Sequence, residues 1–334
     1  MSFIIYPGND NFSRKSEKFF VIIYAVFIHV IFLKSVYFKR RVTQKTISEG
    51  VYMKIGALSS SIRKPLPVAV QKFKEMGATG IQLFATPEYL AYTPERLKEI
   101  VRLCGDNGLE ITAVCGDMGS CRFGVTQEMN DRAELLKRII DIACAFGSRI
   151  VTTHIGVVPD DSRDPVFENM VRSIGACAEY AASCGAYFAI ETGPESAETL
   201  LRLLQAVDSR GLKVNLDPAN LRMVSCVDPV HAVEVLGSYI IHTHAKDGIN
   251  HTPGSTYARY GRYNADGEWQ AVAEKAPTFA EVPLGTGQVP WDAYLNALKK
   301  IGYDGYLVVE REQGTSREED IRHGVRFLKE KLGL

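Results

Sequence analysis

The sequence predicts a closed (β/α)8 barrel running from about Met53 to the C-terminus, and three observations predict it. Short β-rich runs alternate with amphipathic segments eight times, and strict alternation of that kind builds a parallel sheet. No Gly-rich phosphate turn follows the first strand, which argues against a doubly wound open sheet. Four consecutive late strands also end in ionisable residues, at the end where barrels of this class place their chemistry.

The eight predicted strands are 54–59, 80–85, 110–116, 149–156, 186–192, 212–217, 239–245 and 306–310. Helical periodicity fills the intervals. Leu66, Val70, Phe73 and Met76 share one face of the first helix. Thr93-Pro94 is a cap followed by proline at the first helical position, and Leu97, Ile100, Val101 and Cys104 form the apolar stripe that follows. Leu135, Leu136, Ile139, Ile142, Ala143 and Phe146 repeat the pattern. Gly77, Gly108, Gly147 and Gly185 stand where left-handed helix ends require glycine. One connection is anomalous: about 45 residues separate the seventh strand from the helix that starts at Trp291, and a loop of that length is usually functional.

Residues 1–52 do not join this pattern and form a non-barrel extension to the barrel at 53–334. They hold eight Lys/Arg against three Asp/Glu, leaving 31 basic and 36 acidic residues in the remainder. Phe19–Leu33 is apolar apart from His29, but 15 residues are short for a span of roughly 20. Extending it to Phe38 brings in Lys34 and Ser35, and a membrane anchor is one reading of that segment. The preferred reading is a mistaken start. Glu49-Gly50 can be encoded by a purine-rich ribosome-binding sequence two codons ahead of Met53, so translation is expected to begin there.

Composition narrows the function classes. A chain with 46% hydrophobic and 23% charged residues has ample material for a core. The acidic body lacks the positive footprint that nucleic acid needs. Seven cysteines, an odd number without a C-x-x-C pair, read as reduced core residues of a cytoplasmic protein.

The chemistry collects where strands five to eight end, at Glu191, Asp217, His244 and Glu310. Each follows apolar strand residues, so all four can point into the barrel mouth. Three carboxylates and one imidazole suit Mn²⁺, with Co²⁺ or Mg²⁺ as alternatives, rather than a thiolate zinc site. Without a cation the carboxylates would repel one another.

Three further residues are candidates for substrate binding. His154, at the end of the fourth strand, could contact substrate or move a proton, and Lys246 could hold an oxyanion or phosphate. Asn220 can hydrogen-bond a substrate hydroxyl. His242 lies deeper and reads as a packed core histidine. Glu195, Glu198 and Glu312 read as caps or solvated charges. The segment 250–263, with His251, Tyr257, Arg259, Tyr260 and Arg262, could close over a sugar or form a subunit contact, which leaves a homo-oligomer open.

Glu191-Thr192, Asp217-Pro218, His244-Ala245-Lys246-Asp247 and Val309-Glu310 together resemble the xylose isomerase-like barrel superfamily. Pro283–Trp291 looks like that family's turn into its seventh helix, and the resemblance covers about residues 53–332. In the family's epimerases the equivalents of Glu191, Asp217, His244 and Glu310 bind a divalent metal. The resemblance implies that Glu191 and Glu310 also serve as a base/acid pair on opposite faces of a sugar. Many members carry His three residues after the sixth-strand Asp, where this chain has Asn220.

The expected function is therefore metal-dependent isomerisation or epimerisation of a small, unphosphorylated sugar or keto-sugar. A lyase or dehydratase acting on a keto-polyol or 3-keto-glycoside is the alternative, because both reactions begin with enolisation. Endonuclease IV-like repair is remote: the Asp-x-His it needs after the seventh strand is replaced here by Asn250-His251-Thr252.

Overall fold

Eight strands too apolar to face water must be covered on both sides, and the chain does so by closing them into a ring wrapped in helices. In the computed structural model, which describes residues 52–119, 121–252, 261–270 and 278–334, these strands are β1 (Lys54–Leu58), β2 (Gly80–Phe84), β3 (Glu110–Cys115), β4 (Ile150–Thr153), β5 (Tyr187–Glu191), β6 (Leu212–Leu216), β7 (Ile240–Ala245) and β8 (Tyr306–Val309). They pair in parallel in the closed order β1-β8-β7-β6-β5-β4-β3-β2. The ring shuts between β1 and β8 through Lys54↔Tyr306 to Ala57↔Val309.

The outer ring is α1 (Leu66–Met76), α2 (Pro94–Asp106), α3 (Met129–Ala145), α4 (Pro165–Ser183), α5 (Ala197–Val207), α6 (Pro229–Leu236), α7 (Trp291–Lys300) and α8 (Arg317–Leu332). Their starts follow from local chemistry. Thr93, Asp164, Ser196 and Asp228 each accept a backbone N–H of the first turn, and proline follows three of them. Gly77 ends α1 at a φ of 80°, where a side chain would be strained. Val70, Phe73 and Met76, and then Leu136, Ile139 and Ile142, are buried against the sheet. Each such side chain contributes about 1.5–3 kcal/mol on burial.

Seven of the eight strands stop one to three residues earlier than their sequence suggests, and for two the reason is identifiable. The fourth ends at Thr153 because the backbone N–H of His154 donates to Asp117 Oδ1 at 2.8 Å instead of to a neighbouring strand. The sixth ends at Leu216: the Asp217 N–H turns to Thr192 Oγ1 at 2.8 Å, and Pro218 has no N–H to give.

The long connection after β7 has structure of its own. Asp247–Asn250 pairs antiparallel with Phe279–Val282, and Arg262–Tyr263 pairs with Trp269–Gln270. Tyr257, Arg259 and Tyr260 lie outside the described residues, as do residues 1–51. Among the described residues no helix is long and apolar enough to cross a membrane. Cys104, Cys115 and Cys177 are buried, and Cys121, Cys144, Cys184 and Cys226 are partly buried.

Candidate metal centre

The strand ends bring four ionisable side chains to one point at the carboxyl end of the barrel. Glu191 closes β5, Asp217 follows β6, His244 lies near the end of β7 and Glu310 follows β8. Their ligand-type atoms all lie within 4.8 Å of one another. His244 is the hub. Its Nδ1 is 3.0 Å from Glu310 Oε2, 3.2 Å from Glu191 Oε1 and 3.5 Å from Asp217 Oδ2. All four residues are buried.

Asp217 divides its two oxygens between structure and site. Oδ1 caps the following turn, accepting from Ala219 N at 2.8 Å and Asn220 N at 2.9 Å. Oδ2 is buried without a hydrogen-bond partner. Its nearest cations are His244 Nδ1 at 3.5 Å and Lys246 Nζ at 3.9 Å. A buried carboxylate oxygen without a hydrogen bond is costly, and one beside two other carboxylates is what a divalent cation would satisfy. An oxygen-rich set with one nitrogen also suits a hard or borderline ion. The residues therefore fit the group.

Neighbouring residues fix the ring of His244. Its Nε2 lies 2.9 Å from Gln82 Oε1, and Gln82 Nε2 donates to Thr152 Oγ1 at 2.9 Å. Gln82 thus ties β2 and β4 to β7. His242 packs beneath, with Nδ1 2.8 Å from Asn215 Oδ1, as a core histidine should. Burial holds its imidazole well below the ordinary range.

The electrostatics of the cluster are strongly coupled. Burial alone would push the His244 imidazole down, but the carboxylates of Glu310 and Glu191 outweigh it and raise it well above its ordinary value. Burial resists ionisation of Glu310, yet His244 and Lys246 hold its carboxyl well below the usual range. Glu191 is raised, with burial the largest cause.

The three candidate substrate contacts are also here, each with a partner of its own. Lys246 is buried, with Nζ 3.2 Å from Glu310 Oε2 and 2.5 Å from Glu312 Oε2. Asn220 donates to Glu191 Oε1 at 3.2 Å and to Thr192 O at 3.1 Å, so its amide steadies the Glu191 carboxylate. His154 places Nε2 3.6 Å from Glu191 Oε1, and its side chain is 38% exposed where that of Glu191 is 1% exposed. The open side of the cluster is therefore the His154 side.

Two residues differ from the sequence expectation. Asp117, unremarked in the sequence, holds His154 Nδ1 at 2.7 Å. Its position one residue beyond Gly116, in the loop after β3, was the available signal. Glu195, expected as a cap or solvated charge, is buried: Oε1 accepts the Gly193 N–H at 3.2 Å and Oε2 has no partner. Burial pushes its carboxyl up to about 7. Glu198 and Glu312 do sit towards solvent, paired with His231 and Lys246.

Comparison with known proteins agrees with this architecture. The family model for the xylose isomerase-like TIM barrel matches residues 70–331. The chain is 34% identical over 143 residues to the Bacillus subtilis (strain 168) protein YfiH, a match covering 40% of this chain and 42% of that relative. A xylose isomerase domain protein from Planctomyces limnophilus superposes with a TM-score of 0.69 at 26% identity, over 84% of this chain and 96% of that one. A D-tagatose 3-epimerase-like protein gives 0.65 at 22% identity, over 84% and 97%. The probable 3-DHS dehydratase AsbF of Bacillus anthracis gives 0.63 at 21% identity, over 83% and 99%. The last two likenesses are of fold.

Proposed function

Because this chain belongs to the xylose isomerase-like TIM barrel family, and because its strand ends converge on one buried ligand set, we propose that it is a divalent-metal-dependent isomerase or epimerase of a sugar or keto-sugar. The observation that carries the reading is the pair Glu191 and Glu310, each within 3.2 Å of the same His244 nitrogen, with the unpaired Asp217 Oδ2 beside them. Glu191, Asp217, His244 and Glu310 would hold the cation, with Mn²⁺ favoured and Co²⁺ or Mg²⁺ as alternatives. When bound, such an ion polarises a carbonyl and makes the adjacent C–H more acidic.

The chain's own residues do the rest. One of the two glutamates removes the carbon-bound proton and the other returns one, as a general base and acid. Asn220 and Asn215 steady Glu191 through its two oxygens, at 3.2 and 3.4 Å. Lys246 keeps a positive charge against Glu310 and can face an oxygen on which negative charge develops. His154, on the open side, contacts the substrate's hydroxyls.

A second reading, loss of a hydroxyl group from a keto-polyol, is favoured by one feature. The His154–Asp117 pair beside Glu191 is a proton donor additional to the two glutamates, and a leaving hydroxyl needs one. A screen of keto-sugars in D₂O with Mn²⁺, read by NMR, tests both. Deuterium entering a C–H position with all hydroxyls retained supports the isomerase. Loss of water supports the lyase, and no exchange on any keto-sugar rejects both.

A further inference from the structure

A cavity of about 380 Å³, lined by none of the four ligand residues, lies between the loops after β3 and β4 and the long connection after β7. That volume is within the range of small-molecule sites. Its floor is apolar, formed by Val125, Val157, Val166 and Met170. Its wall is the hairpin of the long connection, where Tyr263 and Trp269 meet edge to face with ring centroids 5.0 Å apart.

The hairpin is fastened to the barrel at several points. Thr126 N donates to Ala265 O at 2.8 Å, Arg262 pairs with Asp164 at 2.5 Å, and the Arg122 guanidinium lies 3.8 Å over the Tyr263 ring. Gly261 lets the indole lie against the backbone, since a Cβ there would stand 2.2 Å from Trp269. Even so, Trp269 is 57% exposed. A large aromatic at an open rim offers a stacking surface.

The link to the cluster runs through the loop after β4. Gly156, two residues past His154, lines the cavity together with Cys121. At Gly156 the φ is +90°, and a Cβ would come within 2.8 Å of Cys121 O, so the loops after β3 and β4 meet there.

Charge decides what kind of group fits. Both arginines at the cavity are matched by carboxylates, Arg122 by Glu128 at 2.5 Å and Arg262 by Asp164. Among the described residues that line the cavity, no surplus positive charge remains for a phosphate or carboxylate.

We propose that this cavity is a subsite for the neutral, non-reacting ring of a glycoside whose other ring occupies the ligand cluster. The inference rests on the keto-sugar reading and narrows it to ring-bearing substrates. The flat face of the second ring stacks on the exposed Trp269 indole, and its apolar edge meets the valine floor.

The chain has two tryptophans, and the other, Trp291, is only 5% exposed, so a change in emission on binding reports Trp269. The full chain, freed of metal, is titrated with phenyl β-D-glucopyranoside, D-glucose and glucose 6-phosphate. Saturable quenching by the phenyl glucoside is expected, at concentrations at least about tenfold below those D-glucose needs, as burial of one ring would give. By ligand-observed NMR, Trp269→Ala is expected to weaken that binding about tenfold and Val157→Trp, which fills the cavity, to abolish it, with far-UV circular dichroism unchanged in both. Equal affinity for the glucoside and glucose, tighter binding of the phosphate, or unaltered affinity in the two folded variants would overturn the subsite. The titration needs neither turnover nor metal. Deuterium exchange on free keto-sugars can therefore succeed while the subsite fails, and the converse is equally readable.

Discussion

Asp117 and His154 act as one unit: Oδ2 of the aspartate lies 2.7 Å from Nδ1 of the imidazole, and Nε2 of the same ring lies 3.6 Å from Glu191 Oε1. Asp117 Oδ1 also accepts from His154 N at 2.8 Å and Thr153 Oγ1 at 2.6 Å, so the carboxylate fixes backbone and ring together. Burial would raise the Asp117 carboxyl, but His154 and these hydrogen bonds bring it down to about 2. Asp117→Asn keeps the shape and removes the charge that sets the tautomer and angle of His154. Turnover is expected to fall about 10–100-fold, as when residues orienting a ligand are lost. A kcat within twofold of the parent would show that His154 needs no such partner.

The turn into α7 hangs on Asp247. Its carboxylate accepts from the backbone N–H groups of Gly248, Gly285, Gly287 and Val289 and from Trp291 Nε1, at 2.9 to 3.2 Å. Asp247→Ala strands these donors beneath the surface. Each buried group left unpaired costs about 1–3 kcal/mol unless water reaches it, so a loss of about 3–5 kcal/mol in urea unfolding is expected. Asp247→Asn, which retains one acceptor oxygen, should lose less. If the alanine variant unfolds within 1 kcal/mol of the parent, a limit set at about the size of one net hydrogen bond, the network does not carry the loop.

Much of this was legible because the signals are local. Strands β5 and β8 announce themselves by apolar runs, and Glu191 and Glu310 are the residues that break them. Pro218 after Asp217 marks a strand end on the page. What escaped depends on neighbours distant in sequence. Gln82 looks like a stray polar residue in an apolar strand, and its role emerges only when closure of the barrel sets its amide 2.9 Å from His244, 162 residues away. Asp117 meets His154 because β3 and β4 pair with Cys115 opposite Thr152, a register no single segment specifies. Glu195, just before the Ser196 cap of α5, has the local look of a helix-start charge, and only packing shows it buried.

That burial has a pH consequence. With its carboxyl raised to about 7 from an ordinary 4.5, Glu195 holds a proton more tightly in the folded chain than in the unfolded one. Its contribution is complete below about pH 4.5 and is lost as pH rises through 7. Glu195→Gln imitates the protonated form and removes the dependence. Across pH 5 to 8.5 the parent should lose on the order of 3 kcal/mol of stability relative to the variant. Parallel urea midpoints for the two proteins over that range would contradict the assignment.

Glu310→Gln should separate the two jobs proposed for Glu310. As a ligand it shares the cation with Glu191, Asp217 and His244, and the neutral amide still offers an oxygen 3.0 Å from the His244 ring if the side chain keeps its place. Metal affinity should therefore fall only in part. As an acid or base it has no replacement, because an amide does not take up a carbon-bound proton near neutral pH. General acid–base catalysis is commonly worth about 10²–10⁴ in rate, so exchange should drop at least that far with Mn²⁺ saturating. The substitution also removes the charge facing Lys246, whose remaining carboxylates are the more exposed Glu312 at 2.5 Å and Asp217 at 3.9 Å, so the variant's fold is checked by its urea midpoint. Glu191→Gln should lose as much rate. The pair can differ by substrate face, one variant still washing a proton out of one epimer while failing to form the other. The measurement is solvent deuterium entering each epimer, with metal content fixed by elemental analysis. Near-parental exchange in Glu310→Gln at full metal occupancy would end the two-glutamate mechanism and shift the proton transfer to His154 or Lys246.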